Sequence, residues 1–353
     1  MNNTVVIVTN KNMYFYAVVA KAYLYDNYKI NARIQYVNKE TKQEDLDIEK
    51  DEIIVALSFD AMNICYGLKN CLVMSPNQTQ YLNDKQSCGE FIDILKVPNI
   101  PTFYNRKTHT IIDLQHFCSG FNDGATYCVK DRFNSASRNI HFLRKDDLLN
   151  KYKNKPSFFK DSIVQLYIEP DYILAIDCVC EDGKIIAFLV NKAPPFFKKE
   201  DKWIKNRFIK FTHDIVTEKC NNMFYTKLVM HTEKIIKSVN YNGFIEIEWI
   251  CNEKRNQLLF LEINPRMSGN LTYSKLEEAS LPYMDVLLVN YIAIIQKSNN
   301  NSMNNLVSKI PKNHPKKITK GSLNLIVRPI MILIFFILLV FLITQYKSSL
   351  NDD

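Results

Sequence analysis

The spacing of apolar residues along the chain changes several times, and each change marks a boundary. Val5 to Val8 is an unbroken apolar run inside a strand over Thr4 to Thr9; a helical stretch to about Tyr25 and β-branched runs at Arg33 to Val37 and Ile53 to Phe59 follow. Strands alternating with a helix predict a small parallel α/β lobe. Helical spacing returns from Asn83 to Leu95, and Val97 to Pro101, with its two prolines, stops it before a strand around Thr102.

Short β-rich runs then take over at Thr126 to Val129, Val164 to Ile168, Ile173 to Val179 and Lys184 to Val190. Glu181-Asp182-Gly183 between the last two is a hairpin turn signal. A long helix is expected from Ile209 to Val239, ended by Asn242-Gly243, with strands at Phe244 to Cys251 and Gln257 to Ile263. This second part reads as an antiparallel-rich α+β unit.

Residues 297–321 are dominated by Asn, Ser, Lys and Pro and predict a flexible linker. Beyond it Ile330 to Ile343 is apolar without a break, and with Leu325 to Val327 it approaches the roughly 20 residues that cross a bilayer. The alternative is a buried core helix. A single transmembrane helix over 323–346 is the expectation. Lys312, Lys316, Lys317, Lys320 and a snorkelling Arg328 precede it and place the body in the cytosol.

The formal charge of +8 comes from lysines spread along the chain and crowded before the apolar tail, so it does not argue for nucleic acid. Nine cysteines without a C-x-x-C pair read as reduced, buried thiols, and the N-terminus lacks the basic region of a secretory signal. No histidine sits in an H-E-x-x-H context, and no G-x-S-x-G occurs.

Candidate chemistry is concentrated between Gly243 and Gly269. Strand alternation puts Glu246 and Glu248 on one face, with Ile245, Ile247 and Trp249 behind; on the next strand Glu262, Asn264 and Arg266 share a face opposite Leu261 and Ile263. Facing strands carrying Glu248, Glu262 and Asn264 offer hard oxygen ligands of the kind magnesium takes, and Arg266 adds a planar phosphate donor.

These residues, with E-I-N-P-R closing the second strand, resemble the ATP-grasp superfamily over about residues 80 to 290. The likeness is greatest to the branch holding carbamoyl phosphate synthase, biotin carboxylase and other carboxylate–amine ligases. The resemblance implies two magnesium ions, replaceable by manganese, on Glu248, Glu262 and Asn264, with Arg266 stabilising the transferring phosphoryl group. Upstream, Asn83-Asp84-Lys85 is similar to the family's step whose basic residue, here Lys85, contacts ATP phosphate.

Lys130, ending Tyr127-Cys128-Val129-Lys130, becomes the nucleotide lysine. The following phosphate loop keeps Ser135 and Ser137, but Asn134, Ala136 and Asn139 stand where the family has glycines. Asparagine tolerates positive φ better than alanine does. Val164 to Asp171 resembles the hinge that reads adenine through backbone near Tyr167 and Ile168; Leu166 stands at its usual acid position, leaving Glu169 or Asp171 for the ribose.

The implied fold is α/β plus α+β: an ATP-grasp fold with a Rossmann-like lobe (1–82), then an ATP-grasp domain (83–295) containing a lid (about 106–168) and a C-terminal antiparallel sheet. A linker (296–322), a transmembrane helix (323–346) and a tail (347–353) complete it. The implied activity joins a small-molecule carboxylate to an amine or thiol through an acyl phosphate, releasing ADP. The altered loop and Leu166 leave a membrane-attached pseudoenzyme as the alternative, and a structural membrane protein that binds neither ATP nor magnesium as a further one.

Overall fold

The computed structural model describes residues 4–104, 109–133, 140–156, 161–193, 198–199, 202–203, 214–216, 223–267 and 281–298. The expected transmembrane helix lies outside these residues, as do Ser135 and Ser137 of the phosphate loop and the expected linker beyond Ser298, its first residues being helical. Among the described residues no helix is long and apolar enough to cross a membrane.

The first lobe is a three-stranded parallel sheet in the order β2-β1-β3, from β1 (Thr4–Thr9), β2 (Asn31–Tyr36) and β3 (Ile53–Ala56). Val5, Val6, Ile7 and Val8 are fully buried, because a central parallel strand is covered on both faces. Helix α1 (Tyr14–Tyr28) crosses between β1 and β2 and ends at Lys29 in the left-handed region. Helix α2 (Phe59–Cys65) starts where the Ser58 hydroxyl accepts the Ala61 N–H at 3.2 Å.

A helix that was not expected, α3 (Pro76–Asn83), precedes the one expected from Asn83 to Leu95, which is α4 (Lys85–Ile94). Asp84 separates them: its backbone is extended and its carboxylate accepts the Gln86 N–H at 3.1 Å and the Ser87 hydroxyl at 2.7 Å, so α4 begins afresh at Lys85.

A four-stranded antiparallel sheet in the order β4-β7-β5-β6 follows, from β4 (Thr102–Tyr104), β5 (Thr126–Asp131), β6 (His141–Arg144) and β7 (Ser162–Leu166). Helices α5 (Ile111–Ser119) and α6 (Lys145–Asn154) cover it over Phe103, Leu114, Tyr127, Leu148 and Val164.

The largest sheet runs β12-β9-β8-β13-β14, every pairing antiparallel, from β8 (Tyr172–Glu181), β9 (Lys184–Ala193), β12 (Asp214–Val216), β13 (Gly243–Asn252) and β14 (Gln257–Asn264). A two-residue pair, β10 (Lys198–Lys199) and β11 (Lys202–Trp203), stands apart. The β8–β9 turn forms as expected, with Asp182 and Gly183 both at positive φ. Gly243, at φ +100°, begins β13 where a Cβ would lie 2.6 Å from the Leu72 carbonyl oxygen.

The helix expected over Ile209 to Val239 is shorter. Asp214–Val216 is the edge strand β12, with Ile215 opposite Asn191, and α7 spans Tyr225–Ser238. The β-branched pair Ile215-Val216 suits a sheet edge better than a helix. The intervening 209–213 and 217–222 lie outside the described residues.

One face of this sheet (Leu174, Ile176, Ile245, Ile247, Trp249) packs on α4 and α7 through Ile92, Leu228, Ile235 and Ile236. On the other face Val179 and Phe244 pack against the first lobe and α8 (Leu281–Ser298), whose buried Tyr291 stacks on Phe244 at 4.6 Å. The Tyr291 hydroxyl accepts the Leu72 N–H at 2.8 Å and lies 3.2 Å from the Ile54 carbonyl, pinning α8 to the first lobe.

Candidate active site

On the face of β13 turned away from α4 and α7, Glu248 lies directly opposite Glu262 of β14, and Glu246 opposite Asn264. This placement depends on a bulge. Trp249 pairs with Phe260 while Glu248 pairs with Glu262, so Leu261 is one residue too many on β14. Leu261, expected opposite Glu262, packs instead with Ile100, Ile168, Ile250 and Leu259 in a small cluster tying lid to sheet. The slip lets Phe260 enter the core under α4 and α7 while Glu262 faces the acid.

Two basic residues approach from other elements. Lys85, the first residue of α4, brings Nζ to 3.7 Å from Glu262 Oε2. Lys130, near the end of β5, is 8% exposed, and its charge acts on both Glu248 and Glu262. Arg266 follows β14; Nη2 lies 3.4 Å from Asn264 Oδ1 and Nη1 donates to the Met267 carbonyl at 3.1 Å.

The electrostatics separate the two acids. Burial, then the negative charges of Glu262 and Glu246, push the Glu248 carboxyl well above its usual value, and Lys130 and Arg266 offset this only in part. Burial also pushes Glu262 upward, but Lys85, Lys130, Arg266 and a hydrogen bond from Asn264 outweigh it and hold that carboxyl below its usual value. Two facing carboxyls pushed in opposite directions compete for the positive charge around them.

That donor set fits magnesium, which takes one or two carboxylates and leaves its other positions to phosphate and water. Among the described residues no three His, Cys, Asp or Glu side chains converge as a complete metal cage. Glu248 and Glu262 with the Asn264 carbonyl oxygen would therefore hold a cation jointly with a phosphate ligand.

Lys85, Lys130, Glu248, Glu262, Asn264 and Arg266 are thus brought together from four separate elements, α4, β5, β13 and β14 with the residues just after it. The hinge candidates are placed differently. Leu166 and Tyr167 spend their N–H groups on the Pro101 and Thr126 carbonyls at 2.9 and 2.8 Å, so an adenine would be read from Ile168 onward. Glu169 is exposed, and its carbonyl accepts Asn252 Nδ2. Asp171 is not brought to the acids: its carboxylate accepts the Glu253 N–H at 2.7 Å in the β13–β14 turn.

Sequence reading also missed a connection. Arg132, two residues after Lys130, grips Asp84, the residue before Lys85, donating from Nε to Oδ1 at 2.9 Å and from Nη2 to Oδ2. The Lys85 N–H donates to the Arg132 carbonyl at 3.1 Å. Burial pushes the Asp84 carboxyl up, but hydrogen bonds from Arg132, Ser87 and Gln86 outweigh it and hold it below its usual range. The two lysines are thereby held in one frame.

A model of the ATP-grasp domain matches residues 82–270. No curated protein matches the chain. Among solved structures, a D-alanyl-alanine synthetase A from Vibrio cholerae is similar at 13% identity and TM-score 0.55, over 87% of this chain and 100% of that one. A phosphoribosylamine–glycine ligase from Thermotoga maritima is 12% identical with a TM-score of 0.60, over 82% and 75%. An N5-carboxyaminoimidazole synthetase from Staphylococcus aureus, complexed with ADP, is 12% identical with a TM-score of 0.54, over 83% and 77%. At such identities the likeness speaks for the fold, whereas the domain match spans more than half of the chain and takes in Glu262 and Asn264 of β14 and Arg266 after it; the chain belongs to the ATP-grasp family.

Proposed function

We propose that this protein is an Mg-ATP-dependent ligase joining a small-molecule carboxylate to an amine or thiol, tethered to a membrane by residues 323–346 with its body in the cytosol. The observation that carries the activity is the convergence of Lys85 and Lys130 on the Glu248–Glu262 pair. Two half-buried acids facing each other under two lysines and an arginine suit an ion pair that enters as a unit, a cation with a polyphosphate. The membrane tether rests on the apolar run alone.

In this reading the carboxylate is activated as an acyl phosphate with release of ADP, and the amine or thiol then displaces phosphate. Lys85 and Lys130 hold the polyphosphate from the α4 and lid sides, and Arg266 donates to the oxygens that gain charge as the phosphoryl group moves. Glu248 gives up its retained proton when positive charge arrives. Bound magnesium would neutralise phosphate charge and orient the leaving oxygen. Catalysis is then positioning and electrostatics, with no covalent adduct to the protein.

The full chain in detergent, given Mg-ATP and pools of carboxylates and amines, should release ADP, and Glu262→Gln should abolish it. Nucleotide binding without turnover in any pool would favour a pseudoenzyme, the reading that the replaced glycines at 134, 136 and 139 would explain. Failure to bind ATP at all would refute both. Release from membranes by alkaline carbonate would refute the tether.

A further inference from the structure

A metal ligand supplied by an amide has a problem that a carboxylate lacks. Asn264 can present Oδ1 to a cation only if Nδ2 is turned elsewhere, and the two ends are nearly equal in size. Its surroundings solve this. Nδ2 donates to Glu246 Oε2 at 2.9 Å, across the β13–β14 ladder, where Glu246 is 2% and Asn264 7% exposed. The same amide also hydrogen-bonds Glu262. Oδ1 is left on the side of Arg266.

We infer that Glu246 is a positioning residue that locks the Asn264 amide so that its oxygen faces the cation and the phosphoryl group. Glu262 would not hold this orientation alone, because its own oxygens would go to the cation when one is bound; Glu246 lies directly opposite Asn264 on β13 and accepts from its amide nitrogen. The adjacent Asp177, opposite Glu246 on β8, does not substitute for it, since Asp177 Oδ2 accepts the Asn191 amide at 2.9 Å. Asn191 thus donates to Asp177 and Asn264 to Glu246, and it is the second contact that borders the site.

This inference rests on the proposed cation site and is tested without turnover. Manganese binding to the full chain with ADP, followed by electron paramagnetic resonance, compares the wild type with Glu246→Gln and Glu246→Met. Glutamine keeps an acceptor for Nδ2 and loses the charge; methionine keeps the bulk and loses the acceptor. The Met variant should bind manganese about 10- to 100-fold more weakly, as when a ligand loses its supporting partner, and the Gln variant should keep most of the affinity.

In a Glu246→Met/Asn264→Asp double variant, either carboxylate oxygen serves as ligand, so binding should recover. That variant also carries the test if the single Met variant does not fold. Equal losses in the Gln and Met variants, an unaffected Met variant, or a double variant no better than the single would overturn the inference. A wild type that binds no manganese with ADP would instead sink the ligase reading itself.

Discussion

Replacing Lys85 with methionine removes an ammonium while keeping the length of the stem. In the folded protein that ammonium lies 3.7 Å from Glu262, and the two side chains are 15% and 23% exposed. At those exposures the pair is only partly screened, so its loss should cost the fold about 1–2 kcal/mol. For a chain of 353 residues that is a fall in Tm of about 1–3 °C. Against a polyphosphate the same ammonium makes a charge-assisted hydrogen bond of about 1.5–3 kcal/mol, or about 10- to 150-fold in Kd.

The two roles therefore differ by more than the error of a titration. Calorimetric titration of Lys85→Met with ATP and with adenosine, both with magnesium, should show weakened ATP binding in that range and unchanged adenosine binding. Thermal melting should register the small loss. Equal weakening for both ligands, or a large loss of Tm with ATP affinity intact, would refute the assignment of Lys85 to phosphate and leave it a structural ion pair.

Glu248 makes cation binding proton-linked. Its raised pKa means that the metal-free fold binds more protons than the unfolded chain, so stability should fall as pH climbs from the ordinary 4.5 towards the raised value, and magnesium should reverse the loss; titrations in buffers of different ionisation enthalpy should show proton release, and none would contradict the retained proton. Arg132→Met strips a partner from the largely buried Asp84 and should destabilise by about 2–3 kcal/mol after allowing for the partial exposure of Arg132. Because the Asp84 pKa is depressed, the lost stability is that present above its usual 3.8 and normally lost as pH falls through the lowered value, so the variant's acid limb should flatten in a melt series below pH 4. Tyr291→Phe leaves the Leu72 N–H and the Ile54 carbonyl without the hydroxyl and should cost about 1–3 kcal/mol in denaturant unfolding, with nucleotide affinity unchanged.

The candidate ligands were legible because each stands on local pattern. Period two on β13 and E-I-N-P-R on β14 place acids and an amide where a solvated strand needs none, and Lys130 closes a buried apolar strand. The supports were not legible, because they join residues far apart in the chain. Arg132 and Asp84 are 48 positions apart, and nothing near either names the other. Glu246 was visible as an acid on the ligand face, but its role follows from the cross-strand register to Asn264, 18 positions on. Asp171 shows the converse: an acid beside a nucleotide-like hinge that is used as a turn cap.

The bulge at Leu261 explains why alternation alone could not settle the geometry. From Leu258 to Leu261 four apolar residues run together, so no polar position marks where the ladder slips. With strict alternation Phe260 and Glu262 would share a face, and burying the ring beneath α4 and α7 would bury the carboxylate with it. A charged group in that apolar layer would be costly or neutralised. One extra residue resolves the conflict: Phe260 stays in the core, Leu261 seals the hinge beside Ile168, and Glu262 turns toward Glu248. The demand for a carboxylate on the open face thus fixes the register break, and the sheet's packing and the site's chemistry are one constraint at this point of β14.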